Sequence, residues 1–182
     1  IHSAKAKLYY ETGEKMADGR YTNRKKEGMW VSYGANNIKV EQGAFLDGKK
    51  YGLWKTFYED GSVSMEVNFE NDLEQGAVKH YFIDGKLKQE ANYKDGFLDG
   101  LSINYDGKGK KVLKGIYYKG ARDGKWIYYD EQQKMETILE YDKGQLLNPD
   151  ALKEIDYNSD QYRSNVKDVL EFEDLRGRIK YE

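Results

Sequence analysis

Gly52-Leu-Trp-Lys-Thr-Phe-Tyr-Glu-Asp-Gly61, followed directly by Ser62-Val-Ser-Met-Glu-Val-Asn-Phe69, is the stretch that decides the fold. In its second half Val63, Met65, Val67 and Phe69 alternate with Ser62, Ser64, Glu66 and Asn68, the period-two pattern of a strand with one buried face. The first half, Leu53 to Tyr58, is aromatic and β-compatible. Asp60-Gly61 between them predicts a type I′ turn, which needs positive φ at both central residues. The stretch reads as one β-hairpin.

Moving outward, the same hairpin recurs. Gly28, Gly52, Gly76, Gly100 and Gly124 are each 24 residues apart. Tyr9, Tyr33, Phe57, Tyr81, Tyr105 and Tyr129 form one aromatic column with that step, and Tyr21, Phe45, Phe69, Tyr93, Tyr117 and Tyr141 form another. Further columns hold Gly13, Gly61, Gly85 and Gly109, then Gly48, Gly96, Gly120 and Gly144, and a sparse one holds Gly19, Gly43 and Gly115. Trp30, Trp54 and Trp126 share a column of their own. Self-similarity at a fixed period marks a repeat architecture. The expected fold is therefore mainly β, an elongated single-layer antiparallel β-hairpin repeat array over residues 1–147, in about six units of which the first is degenerate. Glycines four residues apart, as in Asp47-Gly48 to Gly52, predict the turns between units; their charged flanks argue against a helix-dimerisation reading.

Glycine nearly vanishes after Gly144, leaving only Gly177. Asn148-Pro149-Asp150 reads as N-cap, first position and acidic first turn of a helix. Tyr162, Val166, Val169 and Leu170 follow an amphipathic spacing from about Ser159. Residues 148–182 are thus expected to form a short C-terminal α-helical cap or tail, with helix over 148–176.

Composition excludes several classes. The 182 residues contain no Cys, so neither a disulfide framework nor a thiolate metal site can form. Mean hydropathy is −0.95, and no apolar run is long enough for a spanning helix. Aromatic content of 14% with a single Pro argues against disorder. Thirty basic and 32 acidic residues nearly cancel, which leaves no gross field for nucleic acid or anionic membrane. The chain begins at Ile1; signal removal and trimming both account for that, and an extracytoplasmic location is favoured over a cytoplasmic one.

The pattern Asp-Gly-x-x-x-Gly-x-Trp-x-x-Tyr/Phe-x-x-x-Gly, followed by an alternating strand ending in Tyr/Phe-x-x-Gly, resembles the MORN-repeat variant of the bacterial YwqK-type antitoxin family. It covers about residues 4–147. The first unit departs from it at Ala4 and Ala6, and the middle of the array at Val78 and Ser102 in the Trp column and Asp72 in a Gly column, departures read as drift. What the resemblance implies is a protein that binds other proteins, in some members as antitoxin or immunity partners of toxins. Scaffolding, dimerisation and phospholipid contact are associated with MORN repeats elsewhere.

No catalytic, metal-ligating or cofactor-binding residue is expected. His80 reads as a surface imidazole, and Gly107-Lys-Gly-Lys-Lys111 as a turn rather than a phosphate loop, because it lacks the Gly-Lys-Ser/Thr ending. The basic clusters Arg24 to Lys26, Lys49-Lys50 and Lys108 to Lys114 read as solvated surface rather than a lipid footprint. The aromatic columns are expected to supply burial to a one-layer sheet. Their other use is an exposed recognition surface, for which Trp30, Trp54 and Trp126 are the candidate anchors. Function is accordingly expected to be a non-enzymatic protein–protein interaction module of antitoxin or immunity type, its partner another protein such as a toxin, with homodimerisation open. The alternative is an envelope glycan or lipid-headgroup binder.

Overall fold

The computed structural model describes residues 2–130 and 134–155. The chain divides into two compact units, Ile1–Lys86 with Tyr93–Gly96, and Leu87–Asn92 with Phe97–Glu182.

The first unit is an antiparallel meander of seven strands: β1 (Ser3–Tyr9), β2 (Lys15–Thr22), β3 (Lys25–Tyr33), β4 (Lys39–Leu46), β5 (Lys49–Phe57), β6 (Val63–Glu70) and β7 (Leu73–Tyr81). Each strand pairs with the next in sequence. The second unit takes in most of β8 (Leu87–Lys94) and continues through β9 (Phe97–Leu98), β10 (Gly100–Tyr105), β11 (Lys111–Tyr118), β12 (Ala121–Asp130), β13 (Met135–Asp142) and β14 (Gln145–Leu146). There β8 pairs with β10, and β10 to β14 again pair in order. The expected mainly β hairpin array is what forms.

The turn assignment needs correction. Asp60 is absent from the positive-φ residues, whereas Gly61 has φ +85°. The Gly61 N–H donates to Tyr58 O and the Tyr58 N–H to Ser62 O, so a three-residue loop, Glu59 to Gly61, closes this hairpin with only its last residue left-handed. Asp60 instead accepts from the Ser62 N–H and hydroxyl at 2.9 and 2.6 Å, a local bond that holds the loop. The two-residue type I′ turns lie at the other hairpin ends. Asp47 and Gly48 have φ of +52° and +86° between the paired residues Leu46 and Lys49. Asn23-Arg24 and Asn71-Asp72 have the same signs without a glycine; Asn23, Asn71 and Asp72 tolerate that region through their short polar side chains, whereas Arg24 has no such side chain to help it.

Each turn is tied to the repeat before it. The Gly48 N–H donates to Lys26 O, Asp72 to Lys50 O and Gly96 to Glu74 O, and in the second unit Gly120 donates to Leu98 O and Gly144 to Arg122 O. A bulge recurs one turn further on. In β4–β5 the pairs Ala44↔Tyr51 and Gln42↔Lys55 leave Gly52, Leu53 and Trp54 opposite the single residue Gly43. Gly52 sits at φ +70° there, a conformation that a side chain would strain.

The start of the expected helix is different. Pro149–Glu154 is a 3₁₀ segment, and Asn148 does not cap it. Its Oδ1 accepts the Glu140 N–H and its Nδ2 donates to Ile138 O, both at 2.8 Å, so the side chain is spent on the free edge of β13. The segment's Ile155 is buried in a cluster with Val112, Leu113, Tyr117, Trp126, Tyr128, Leu139 and Tyr141. The helix expected from Ser159 lies outside the described residues.

Candidate recognition surface

Trp30, Trp54 and Trp126 are not surface anchors: they are only 2%, 3% and 0% exposed. Each indole lies over a glycine of the preceding strand. A Cβ placed on Gly19, Gly43 or Gly115 would fall 2.3, 2.1 or 2.1 Å from the ring of Trp30, Trp54 or Trp126. Each indole N–H donates across the strand, to Arg20 O, Ala44 O and Ile116 O at 3.0 to 3.1 Å. Edge-to-face contacts then join Tyr21, Trp30, Phe45, Trp54 and Phe69 into a ladder in the first unit, with centroids 5.0 to 6.1 Å apart. Tyr117, Trp126 and Tyr141 repeat it in the second. A cation covers each indole: Lys26 at 4.6 Å, Lys50 at 4.0 Å and Arg122 at 4.6 Å from the ring centroid.

Beyond the degenerate first unit, which has Ala6 in the Trp column, two repeats lack the indole, and they lack its companions as well. Val78 pairs directly with Val67, which stands in the sparse glycine column. Ser102 stands where Trp would, with Ala91 in the glycine column. The cation column reads Glu74 and Leu98 in those repeats. Val78 and Ser102 are not isolated departures, because three columns change together. Glycine, cation and Trp at i, i+7 and i+11 form one packing unit, and that spacing was the signal available in the sequence.

The other aromatic column carries tyrosine–carboxylate pairs. Tyr33 donates to Asp18 at 3.1 Å and Tyr81 to Glu66 at 2.8 Å, and in the second unit Tyr105 donates to Glu90. Burial, then the hydrogen bond to the carboxylate, pushes the Tyr81 and Tyr105 hydroxyls up to about 12. Lys55, 2.7 Å from Glu66, together with the Tyr81 hydroxyl, holds that carboxyl below its usual range. Each such group is satisfied by its neighbour. Among the described residues no group of three or more His, Asp or Glu is placed to hold a metal ion.

Most of the basic-cluster residues are exposed, as Arg24, Lys25, Lys49, Lys108, Lys110 and Lys111 are, and some of the clusters' side chains also take part in the fold. Lys25 pairs with Asp47 at 2.7 Å, Lys26 lies on the ladder, and Lys50 combines its ring contact with Glu41 at 2.6 Å. The Gly107 to Lys111 stretch is a turn, with Asp106 Oδ1 accepting from the Lys108 and Lys110 N–H groups.

What the first unit leaves in water is the face opposite the indoles. Met29, Leu46, Tyr51 and Leu53 are 56%, 53%, 50% and 46% exposed. Each is the chain neighbour of a ladder or cation residue (Trp30, Phe45, Lys50, Trp54), so strand alternation turns it outward. The register makes them contiguous, with Met29 and Tyr51 both opposite Ala44. A shallow depression lined by Lys5, Lys7, Asp18, Arg20, Glu27 and Met29 adjoins this row and gives it a charged margin. Sequence reading missed the row by assigning recognition to the largest aromatics, which the glycine columns bury.

Residues 50–71 and 74–95 match the family model described as MORN repeat variant. The hairpin units of these stretches are MORN-variant repeats, a non-catalytic type of module that generally binds proteins or lipids. No curated protein matches the chain.

Proposed function

We propose that this chain is a non-enzymatic protein-interaction module whose recognition surface is the row Met29, Leu46, Tyr51 and Leu53 in the first unit. The observation that carries this reading is the contiguous exposure of four large apolar side chains on strands that pair with both neighbours in the sheet. A rigid apolar centre with a charged margin has the make-up of a protein-binding patch. The partner is a protein that covers this row, and the mechanism is occlusion by surface complementarity. A toxin held in this way is the finer form of the proposal, supported by the likeness of the repeats to YwqK-type proteins. Burial of Trp30, Trp54 and Trp126 removes the stacking anchors on which a glycan reading rested.

The test is capture of a partner from native lysate by the intact chain and by a Met29→Glu/Leu53→Glu variant. Partner capture should be lost in the variant while circular dichroism is unchanged. Equal capture by both proteins would overturn the assignment of the row.

A further inference from the structure

The chain contains a worked example of a segment seated on its own aromatic ladder. In the second unit Ile155 is buried with Tyr117, Trp126 and Tyr141, and Ala151 and Leu152 pack against the same cluster. The segment is Pro149-Asp-Ala-Leu-Lys-Glu-Ile155, aliphatic on its inner side, with Asp150 and Glu154 exposed. Tyr117 and Tyr141 are buried there. In the first unit the same columns carry Tyr21, Phe45 and Phe69, and all three are only half-buried.

The cations of the first unit differ in a way that specifies a ligand. Lys50 lies over Trp54 and at the same time reaches Glu41 Oε1 at 2.6 Å. An ammonium on the ladder can therefore hold a ring and a carboxylate together. Lys26 has the same two ring contacts, at 4.6 Å to Trp30 and 4.7 Å to Phe45. Nine residues before it, where Lys50 has Glu41, stands Ala17. The position that would supply its carboxylate carries a methyl group.

We propose that the Tyr21–Trp30–Phe45 strip beneath Lys26 is a docking site for a short segment of a partner protein, with two or three aliphatic side chains beside a carboxylate. The aliphatic groups lie on Tyr21 and Phe45 as Leu152 and Ile155 lie on the second unit's cluster, and the carboxylate meets Lys26 Nζ. This strip is on the face opposite the Met29–Leu53 row, and neither site depends on the other.

The probe is a capped peptide with the sequence of residues 147–155, titrated to millimolar concentration into the ¹⁵N-labelled intact chain while the three indole Nε1–H signals are followed. The Trp30 signal should move saturably. Lys26→Gln, which keeps the stem over the rings, should weaken the titration about tenfold, the effect expected of a lost charge-assisted contact. Leu53→Glu should leave it unchanged, which separates this site from the exposed row. Movement confined to Trp126 would mean that the peptide only replaces the chain's own segment, and would overturn the proposal. So would no movement, or a Trp30 response indifferent to Lys26→Gln. A Trp30 signal that shifts with protein concentration alone would assign the strip to a second copy instead.

Discussion

Two junctions in the first unit carry the same backbone and opposite fillings. Between β4 and β5, Gly43 faces the bulge of Gly52, Leu53 and Trp54, and the indole lies flat over the missing side chain. Between β6 and β7 the bulge glycine is kept, with Gly76 at φ +72° against +70° for Gly52, but Val67 and Val78 meet as equals. One junction divides its side-chain volume into everything and nothing, and the other into halves. The cation follows the indole: Lys50 covers Trp54, while Glu74 holds that position beside Val78. What this array holds constant is the content of a pair across two strands, and single columns vary within that limit.

Breaking the unequal pair at its large member should have the largest effect. Trp54→Ala removes a buried indole and leaves Ala44 O without its donor, at a cost of about 3–5 kcal/mol in urea unfolding. Adding bulk at the small member comes next. Gly43→Val places atoms where the ring already is, and should cost about 1–3 kcal/mol through overpacking. The decisive variant combines Gly43→Val with Trp54→Val, copying the Val67–Val78 filling. It should be more stable than the sum of its single changes predicts, with a coupling of at least about 1 kcal/mol. Strict additivity would show that the two junctions are not versions of one pair. Lys50→Gln sharpens the comparison at lower amplitude. It removes a partly exposed cation–π contact and the Glu41 ion pair, for a loss of about 0.5–1 kcal/mol, whereas Glu74→Gln should stay within about 0.5 kcal/mol.

These pairs also show how much could be read from the residues alone. Period, hairpins and both aromatic columns were legible because backbone turns and strand alternation leave marks every 2 and every 24 residues. Gly43 and Trp54 were each visible as members of columns, but their meeting was not, since it depends on a cross-strand register shifted by the bulge. The Asp-Gly turns misled for a related reason. Asp60-Gly61 and Asp47-Gly48 share a dipeptide, and loop length, three residues against two, decides which has both residues left-handed. Asn148 looked like a helix cap because its preference for one is local, and the edge of β13 outbid that preference. The exposed row was the hardest to see. Nothing in Met29 or Leu53 by itself distinguishes an outward residue from a core one until the glycines fix which neighbour is buried.

The smallest expected effect tests whether pairing extends to the opposite column. Tyr81 donates to Glu66, whereas Phe57, 24 residues earlier, has no hydroxyl, and the position equivalent to Glu66 is the uncharged Gln42. The Tyr81 hydroxyl is raised to about 12, first by burial and then by Glu66. A raised value in the folded state means that its contribution is complete below the unfolded value near 10 and is lost as pH rises through about 12. Glu66 has the reverse sign. It is depressed chiefly by its bond to Lys55, so its contribution is present above the ordinary carboxyl range near 4 and fades as pH falls. Alkaline titration followed at the phenolate absorbance should show a late class of tyrosines that includes Tyr81 and Tyr105, and Tyr81→Phe should remove one of them. At neutral pH that substitution should cost only about 0.5 kcal/mol, because Lys55 remains beside Glu66 at 2.7 Å. Adding Glu66→Gln recreates the natural Phe57–Gln42 filling and should abolish the acid-side loss as well. If the double variant instead kept that loss, the acid-side loss would belong to a carboxylate other than Glu66, and the rule drawn from the indole junctions would not extend to this face.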